Sequence, residues 1–191
     1  MKGDPIVRHN RHLEEFLMLK CAPDLLIAGV YPNTKEITEA MGMFHAAIPY
    51  GELKLCGVPH TAVVVGDGHT PRLGALLAFR TNWNVYSVDP EMRIDKYANV
   101  FRRLVVLKDK IENTTIDCAG QPTVLFLPHS HADMSVAIAR LDNYASLKVI
   151  NMPCCVSIPE DWGRVPHTAY IDKDVNSPKN WIHIWNTVKE D

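Results

Sequence analysis

The sequence predicts an α/β fold built on a mostly parallel sheet and closed by a C-terminal antiparallel hairpin. Three observations carry that expectation. Thr61–Val65 (TAVVV) and Thr123–Leu127 (TVLFL) are short, wholly apolar, β-branched or aromatic runs, the pattern of strands buried on both faces. Segments with helical apolar spacing separate such runs, and strands alternating with helices require crossover connections between parallel strands. The proline-rich last third carries two further strand-like runs, Thr168–Ile171 and Trp181–Trp185, joined by an Asn/Ser/Pro turn.

In chain order, the first helix is expected from an Asn10 cap, with Leu13, Phe16, Leu17 and Cys21 at helical spacing. A second is marked by Asn33 and Glu36 in a capping-box arrangement, with Ile37, Ala40, Met41, Phe44 and Ile48 on one stripe and Pro49-Tyr50-Gly51 as its stop. Neither stripe can be buried by its helix alone, so both helices must cover something. Thr61–Val65 then opens the alternation and runs into the loop Gly66-Asp67-Gly68-His69. Thr70 and Pro71 read as a hydroxyl N-cap with proline at the first helical position, continued by Leu73, Leu76 and Leu77. Asn84–Val88 is the next strand and ends at Asp89-Pro90. A helix carrying Ile94, Tyr97, Val100, Phe101 and Leu104 inward leads to a third strand at Leu104–Leu107. After Thr123–Leu127 come His129-Ser130-His131-Ala132-Asp133, a helix with Met134, Ala137, Ile138 and Leu141, and the strand Leu147–Asn151 before Met152-Pro153-Cys154-Cys155. The organisation expected is one domain over 1–191, a helical extension (1–58) on an α/β core (59–191).

Composition bounds the function. In 191 residues, 20 Lys+Arg oppose 22 Asp+Glu, so no chain-wide charge draws nucleic acid or an anionic membrane, and an RNA partner would need a local patch. Apolar stretches fall well short of the roughly 20 residues that span a bilayer, so no membrane association is expected. The charged start, MKGDPIVRHNRHLEE, lacks the apolar core of a secretory signal. With five cysteines, an odd number, and two of them adjacent, the expectation is a reduced intracellular chain of cytoplasm or nucleus.

The most informative stretch is VVVGDGHTPRLGALLAFRTNWNVYSVDP. A ligand approaching Gly66 and Gly68 meets no Cβ, and the helix that follows offers free N–H groups. Asp89 lies 23 residues beyond Gly66, at the end of the neighbouring strand, where a carboxylate can accept both hydroxyls of a ribose. The glycines run G-x-G-x5-G (Gly66, Gly68, Gly74) with Asp67 between the first two, which disfavours a diphosphate and suits a cationic sulfonium. This order resembles the first two motifs of class I S-adenosylmethionine-dependent methyltransferases. The resemblance implies a three-layer Rossmann-like methyltransferase sandwich with S-adenosylmethionine as cofactor. It places Gly66, Asp67, Gly68, Thr70 and Asp89 at the cofactor, and Asp109 at the adenine after the third strand, with Glu112 as the other candidate there.

HSHAD supplies the candidate catalytic groups: His129 or His131 as a base near neutral pH, with Asp133 to orient an imidazole or to cap the next helix. Some tRNA-modifying methyltransferases are similar in carrying a His-containing motif after this strand and Pro-Cys-Cys after the next. That resemblance implies RNA as the first-choice methyl acceptor. A non-catalytic Rossmann-like binding or assembly module, with a protein partner, is the alternative. A zinc-dependent hydrolase is the third reading, because H-x-H-x-D is similar to the metal signature of the metallo-β-lactamase superfamily, with His167, Asp172 and His183 downstream.

Overall fold

A computed structural model describes residues 9–154 and 165–187. Seven strands form one sheet in the order β3-β2-β1-β5-β7-β9-β8. They are β1 (Thr61–Val65), β2 (Asn84–Val88), β3 (Leu104–Leu107), β5 (Pro122–Pro128), β7 (Ser146–Met152), β8 (Thr168–Ile171) and β9 (Trp181–Thr187), while β4 (Ile116–Asp117) and β6 (Leu141–Asp142) form a separate parallel pair. β1, β2, β3, β5 and β7 pair in parallel, as their apolar runs imply. β9 is inserted between β7 and β8 and runs antiparallel to both. The C-terminal hairpin therefore contributes only one reversed strand, and its edge strand β8 runs with the rest.

Alternation along each strand divides the core between the two faces of the sheet. Ala62, Val64, Val124, Phe126, Ile150 and Met152 join one cluster with Phe16, Phe44 and Trp83. Val63, Val65, Leu125, Leu127 and Val149 join the other with Ile111, Met134 and Trp185. Each large apolar side chain so enclosed contributes about 1.5–3 kcal/mol, and the sheet is fixed in register because a one-residue slip would exchange the two faces.

Helices α1 (Arg11–Met18), α2 (Ala22–Ile27), α3 (Thr34–Ala47), α4 (Arg72–Arg80), α5 (Ile94–Tyr97) and α6 (Met134–Ala139) complete the fold. Asn10 caps α1 through Leu13 N, and Asn33 caps α3 through Glu36 N. The Glu36 carboxylate does not return to its cap but pairs with Arg72 at 2.8 Å. Three N-terminal helices stand where two were expected. α1 ends at Met18, so Leu17 is exposed and Cys21 lies beyond it, with Pro23 opening the additional α2. α3 is buried on every side from Ile37 to Ala47, not on one stripe. The long helix expected through Leu104 is the single turn α5. It ends because Ala98 is extended and Asn99 is left-handed (φ 64), which exposes Val100 and leaves Tyr97 and Phe101 to pack inward.

The turn between β8 and β9 is tied to the N-terminal helices. Asn10 Nδ2 donates to Asp174 O, Asn176 N donates to Thr38 Oγ1, and His12 meets Asp172 at 2.8 Å. α1, α3 and this turn thus form a roof beside the carboxyl edge of the sheet. No helix among the described residues is long and apolar enough to cross a membrane.

Candidate functional site

The strand order reverses at β1, whose neighbours are β2 and β5. Ligands of open parallel sheets settle at such a switch point, beyond the carboxyl ends of the strands. The glycine loop stands there because its backbone requires it. Gly66 (φ +86) and Gly68 (φ +84) both occupy the left-handed region, which costs any other residue about 1–2 kcal/mol. A Cβ on Gly66 would lie 2.9 Å from Ser130, backbone included, so the β1 and β5 loops touch across the crevice. Gly74 plays the third part: a Cβ there already stands 3.0 Å from Ser87, which lets α4 lie directly on β2.

Asp67 serves this loop. It is 2% exposed; its Oδ1 accepts from Leu73 N, and its Oδ2 accepts from Gly74 N and Ser87 Oγ. Burial pushes its carboxyl above the usual range, against the pull of those donors and of Arg72. The cap of α4 is therefore this carboxylate, six residues upstream of Leu73. Thr70 does not cap the helix: its hydroxyl is buried with no partner, and Pro71 stands at the cap position with no side-chain bond. Both residues were expected at the cofactor, and the helix N-terminus claims one of them.

Asp89 is where the sequence places it, at the end of β2. Oδ2 accepts from Gly68 N and Oδ1 from Glu91 N, each at 2.8 Å. A carboxylate has about four acceptor sites, so each oxygen retains one. A cavity of about 370 Å3 opens beside it, lined by Gly66, Asp89, Asp109, Ile111, Glu112 and Ala132 among others. Asp109 lies at its rim, where Asn113 Nδ2 and Lys110 N donate to its Oδ1 and hold its carboxyl below the usual range.

A second cavity, of about 480 Å3, lies on the other side of Gly66 and His129. Its walls come from α3 (Lys35, Glu36, Glu39), the start of α4 (Arg72) and the β8–β9 turn (Lys179). Gly66, His129 and His131 line both cavities, so the Gly66–Ser130 contact divides one crevice into two lobes. Volumes of this size suit small ligands.

HSHAD fans out in three directions. His129 is left-handed (φ 52); its N–H donates to Met152 O, and its Nε2 pairs with Glu39 Oε1 at 2.8 Å. Its Nδ1 is enclosed with no partner. His131 Nε2 lies 3.3 Å from Cys154 Sγ. Asp133 is not among the residues lining either lobe and caps α6 through Val136 N. Of the three catalytic candidates, two line the crevice, and Asp133 is a helix cap whose position at the strand-to-helix junction explains it. The same divergence counts against the zinc reading: among the described residues no three His, Cys, Asp or Glu side chains are grouped to hold a metal. Asp172 is engaged by His12, and His183 lies buried in β9. Cys155 lies outside the described residues.

Glu39 is the residue that sequence reasoning missed. It is 4% exposed, on a helix whose apolar stripe points elsewhere, and it binds both His129 and Lys35, the latter at 3.0 Å. Burial pushes its carboxyl up, but the hydrogen bonds and charges of His129 and Lys35 outweigh that and hold it below the usual range. A glutamate three residues from Glu36, on the face opposite the predicted stripe, was its only signal.

No protein-family model matches the chain, and no curated protein matches its sequence. Solved structures share its fold. A provisionally assigned RNA methyltransferase from Pyrococcus horikoshii aligns with a TM-score of 0.52 and 11% identity, over 90% of this chain and 99% of that one. A point mutant of MtNAS in complex with S-adenosylmethionine aligns with a TM-score of 0.55 and 13% identity, over 93% of this chain and 70% of the other. MtNAS in complex with MTA and tNA gives 0.51 and 12%, over 92% and 68%. The fold is that of the Rossmann-like class I S-adenosylmethionine-dependent methyltransferases.

Proposed function

We propose that this methyltransferase fold binds S-adenosylmethionine in the divided crevice and transfers its methyl group to an acceptor in the second lobe. The observation that carries the reading is the pair of lobes flanking Gly66 at the switch point, with a strand-end carboxylate, Asp89, in the first. The residues fit the cofactor. Asp89 keeps two acceptor sites for ribose hydroxyls, Ile111 and Ala132 supply apolar walls for a base, and Asp109 lies where an exocyclic amine would be met. The glycine cradle leaves the backbone open, and Arg72 Nε and Thr70 Oγ1 are buried donors without partners beside it. Bound there, the sulfonium supplies an electrophilic methyl group; the chain supplies orientation, which accounts for most of the catalysis in such a displacement.

The acceptor lobe favours a small molecule over the nucleic acid expected first. Arg72 is neutralised by Glu36 and Lys35 by Glu39, which leaves Lys179 as the cation lining that lobe without an ion pair among the described residues. A phosphate backbone needs several unpaired cations in a row. The MtNAS mutant in complex with S-adenosylmethionine supports the cofactor half of the reading, and the P. horikoshii structure carries no acceptor over to this chain.

Calorimetric titration with S-adenosylhomocysteine tests the proposal. We expect one saturable site that weakens at least tenfold in Asp89→Asn. A flat titration from folded wild-type protein would remove the enzyme reading and select the binding-module alternative.

A further inference from the structure

Asp67, engaged at the start of α4, and Glu39 are the two enclosed carboxylates on the walls of the second lobe, and the two oxygens of Glu39 are used unequally. Oε1 takes both partners, Lys35 Nζ at 3.0 Å and His129 Nε2 at 2.8 Å. Oε2 has no partner among the described residues, although Glu39 is 4% exposed and lines the cavity. The fully enclosed unpartnered atoms nearby include His129 Nδ1 and Arg72 Nε, and Oε2 is not one of them. An ionised buried carboxylate with one unbonded oxygen facing a cavity is costly unless a donor arrives there. The other glutamate on this wall, Glu36, pairs with Arg72 at 2.8 Å and is more open than Glu39, so it is Glu39 whose free acceptor site is the more shielded from water.

We propose that the second lobe takes an amine acceptor and that Glu39 Oε2 receives its N–H. This rests on the cofactor reading above. A carboxylate acceptor would bring no donor to Oε2 and would meet Glu39 as a like charge, and an alcohol brings a single O–H. An amine brings several N–H donors, one of which reaches the open acceptor site on Oε2. His129 is then a positioning residue: with Nε2 committed to Oε1 and Nδ1 sealed, neither ring nitrogen faces the acceptor, and its part is to hold Glu39 across the crevice. Lys35 does the same from the preceding turn of α3.

The step balances without another reactant. The bound ammonium gives one proton to water at the mouth of the lobe, and Oε2 accepts a hydrogen bond from the amine that remains. The freed nitrogen lone pair forms the N–C bond to the methyl carbon as the C–S bond breaks, and that electron pair stays on sulfur. The methylated nitrogen carries the positive charge that left the sulfonium.

The test uses three fragments of one shape, benzylamine, benzyl alcohol and benzoate, titrated by protein-observed NMR with and without S-adenosylhomocysteine. Benzylamine should saturate resonances of the α3 wall at least tenfold more readily than either of the others, and Glu39→Gln should abolish that preference while leaving S-adenosylhomocysteine affinity within twofold. His129→Gln, which keeps a donor toward Oε1, should retain the preference. Equal binding of all three fragments to wild-type protein overturns the proposal with no variant needed, as does an unchanged preference in Glu39→Gln. Saturable S-adenosylhomocysteine binding with no amine preference defeats this inference alone; absent S-adenosylhomocysteine binding defeats the cofactor reading, and the amine preference is still read on the cofactor-free protein.

Discussion

Replacing Asp67 with alanine separates a structural carboxylate from a ligand contact. The side chain is 2% exposed and receives Leu73 N, Gly74 N and Ser87 Oγ, all three within 3.0 Å. The serine hydroxyl can rotate to another acceptor, but the two helix N–H groups cannot. A buried donor left unpaired costs about 1–3 kcal/mol, and the loss of a helix cap about 0.5–2 kcal/mol. Relief from removing a buried carboxylate returns part of this, so the net loss expected is about 2–4 kcal/mol. Against a total stability of about 5–15 kcal/mol, that is a large fraction. For a domain of this size each kcal/mol moves the melting midpoint about 2–4 °C, giving a fall of roughly 5–15 °C. Urea and thermal unfolding followed by circular dichroism read it directly. S-adenosylhomocysteine affinity, measured well below the new midpoint, should stay within about threefold, since the carboxylate faces α4. A variant as stable as wild type that no longer binds would show the reasoning to be wrong and return Asp67 to the cofactor site.

Three further outcomes follow from the same geometry. Asp89→Asn keeps an oxygen for Gly68 N or Glu91 N but loses charge toward the ribose; charge-assisted hydrogen bonds contribute about 1.5–3 kcal/mol each, so binding should weaken at least tenfold, and the N–H left facing the amide nitrogen should lower the melting midpoint by a few degrees. Gly66→Ala combines a left-handed φ with a 2.9 Å approach to Ser130; it should destabilise by more than the ~1–2 kcal/mol of conformational strain alone and close the passage between the lobes, seen as lost binding in calorimetry. Stability should fall with acid in two stages. Burial lowers the affinity of His45 and His183 for protons in the folded chain, so as pH drops below the ordinary histidine value of about 6.5 the unfolded chain takes up protons the folded one does not. For Asp172, burial raises the pKa but the hydrogen bond and charge of His12 prevail, as His129 and Lys35 prevail at Glu39, and both end below their ordinary value. Their stabilisation is present in full above about pH 4 and disappears as pH falls through the folded value. Urea midpoints between pH 8 and pH 3 would show both declines, and a flat profile from 7 to 5 would contradict the first.

The parallel core was readable because its strands are apolar on both faces. TAVVV and TVLFL admit one interpretation once helical segments separate them, and β1, β2 and β5 form as expected. Asp89 was readable for a related reason, since the end of a parallel strand beside a glycine loop is a fixed place. The cap of α4 was read at Thr70 and not at Asp67 because capping was inferred from immediate sequence neighbours. Here the acceptor comes from six residues back, across a loop that only Gly66 and Gly68 can follow. α3 misled for the opposite reason. Its stripe predicts one buried face, yet the roof formed with α1 and the β8–β9 turn buries the other, and that is the face that brings Glu39 to His129. Ninety residues separate that pair, and no local pattern encodes it. Asp133 and His131 look alike as members of one motif; their different partners, Val136 N and Cys154, appear only when the turn after β5 is folded.

The central claim is that one cofactor spans both lobes around Gly66. A crystal structure of the full chain grown with saturating S-adenosylhomocysteine tests it most directly. The account predicts the nucleoside in the lobe of Asp89 and Ile111, its ribose hydroxyls on the Asp89 carboxylate, and the amino-acid tail passing Gly66 toward Arg72. Ligand bound away from the carboxyl edge of β1 and β2, or a crevice still divided by the Gly66–Ser130 contact and empty at saturating ligand, would contradict it.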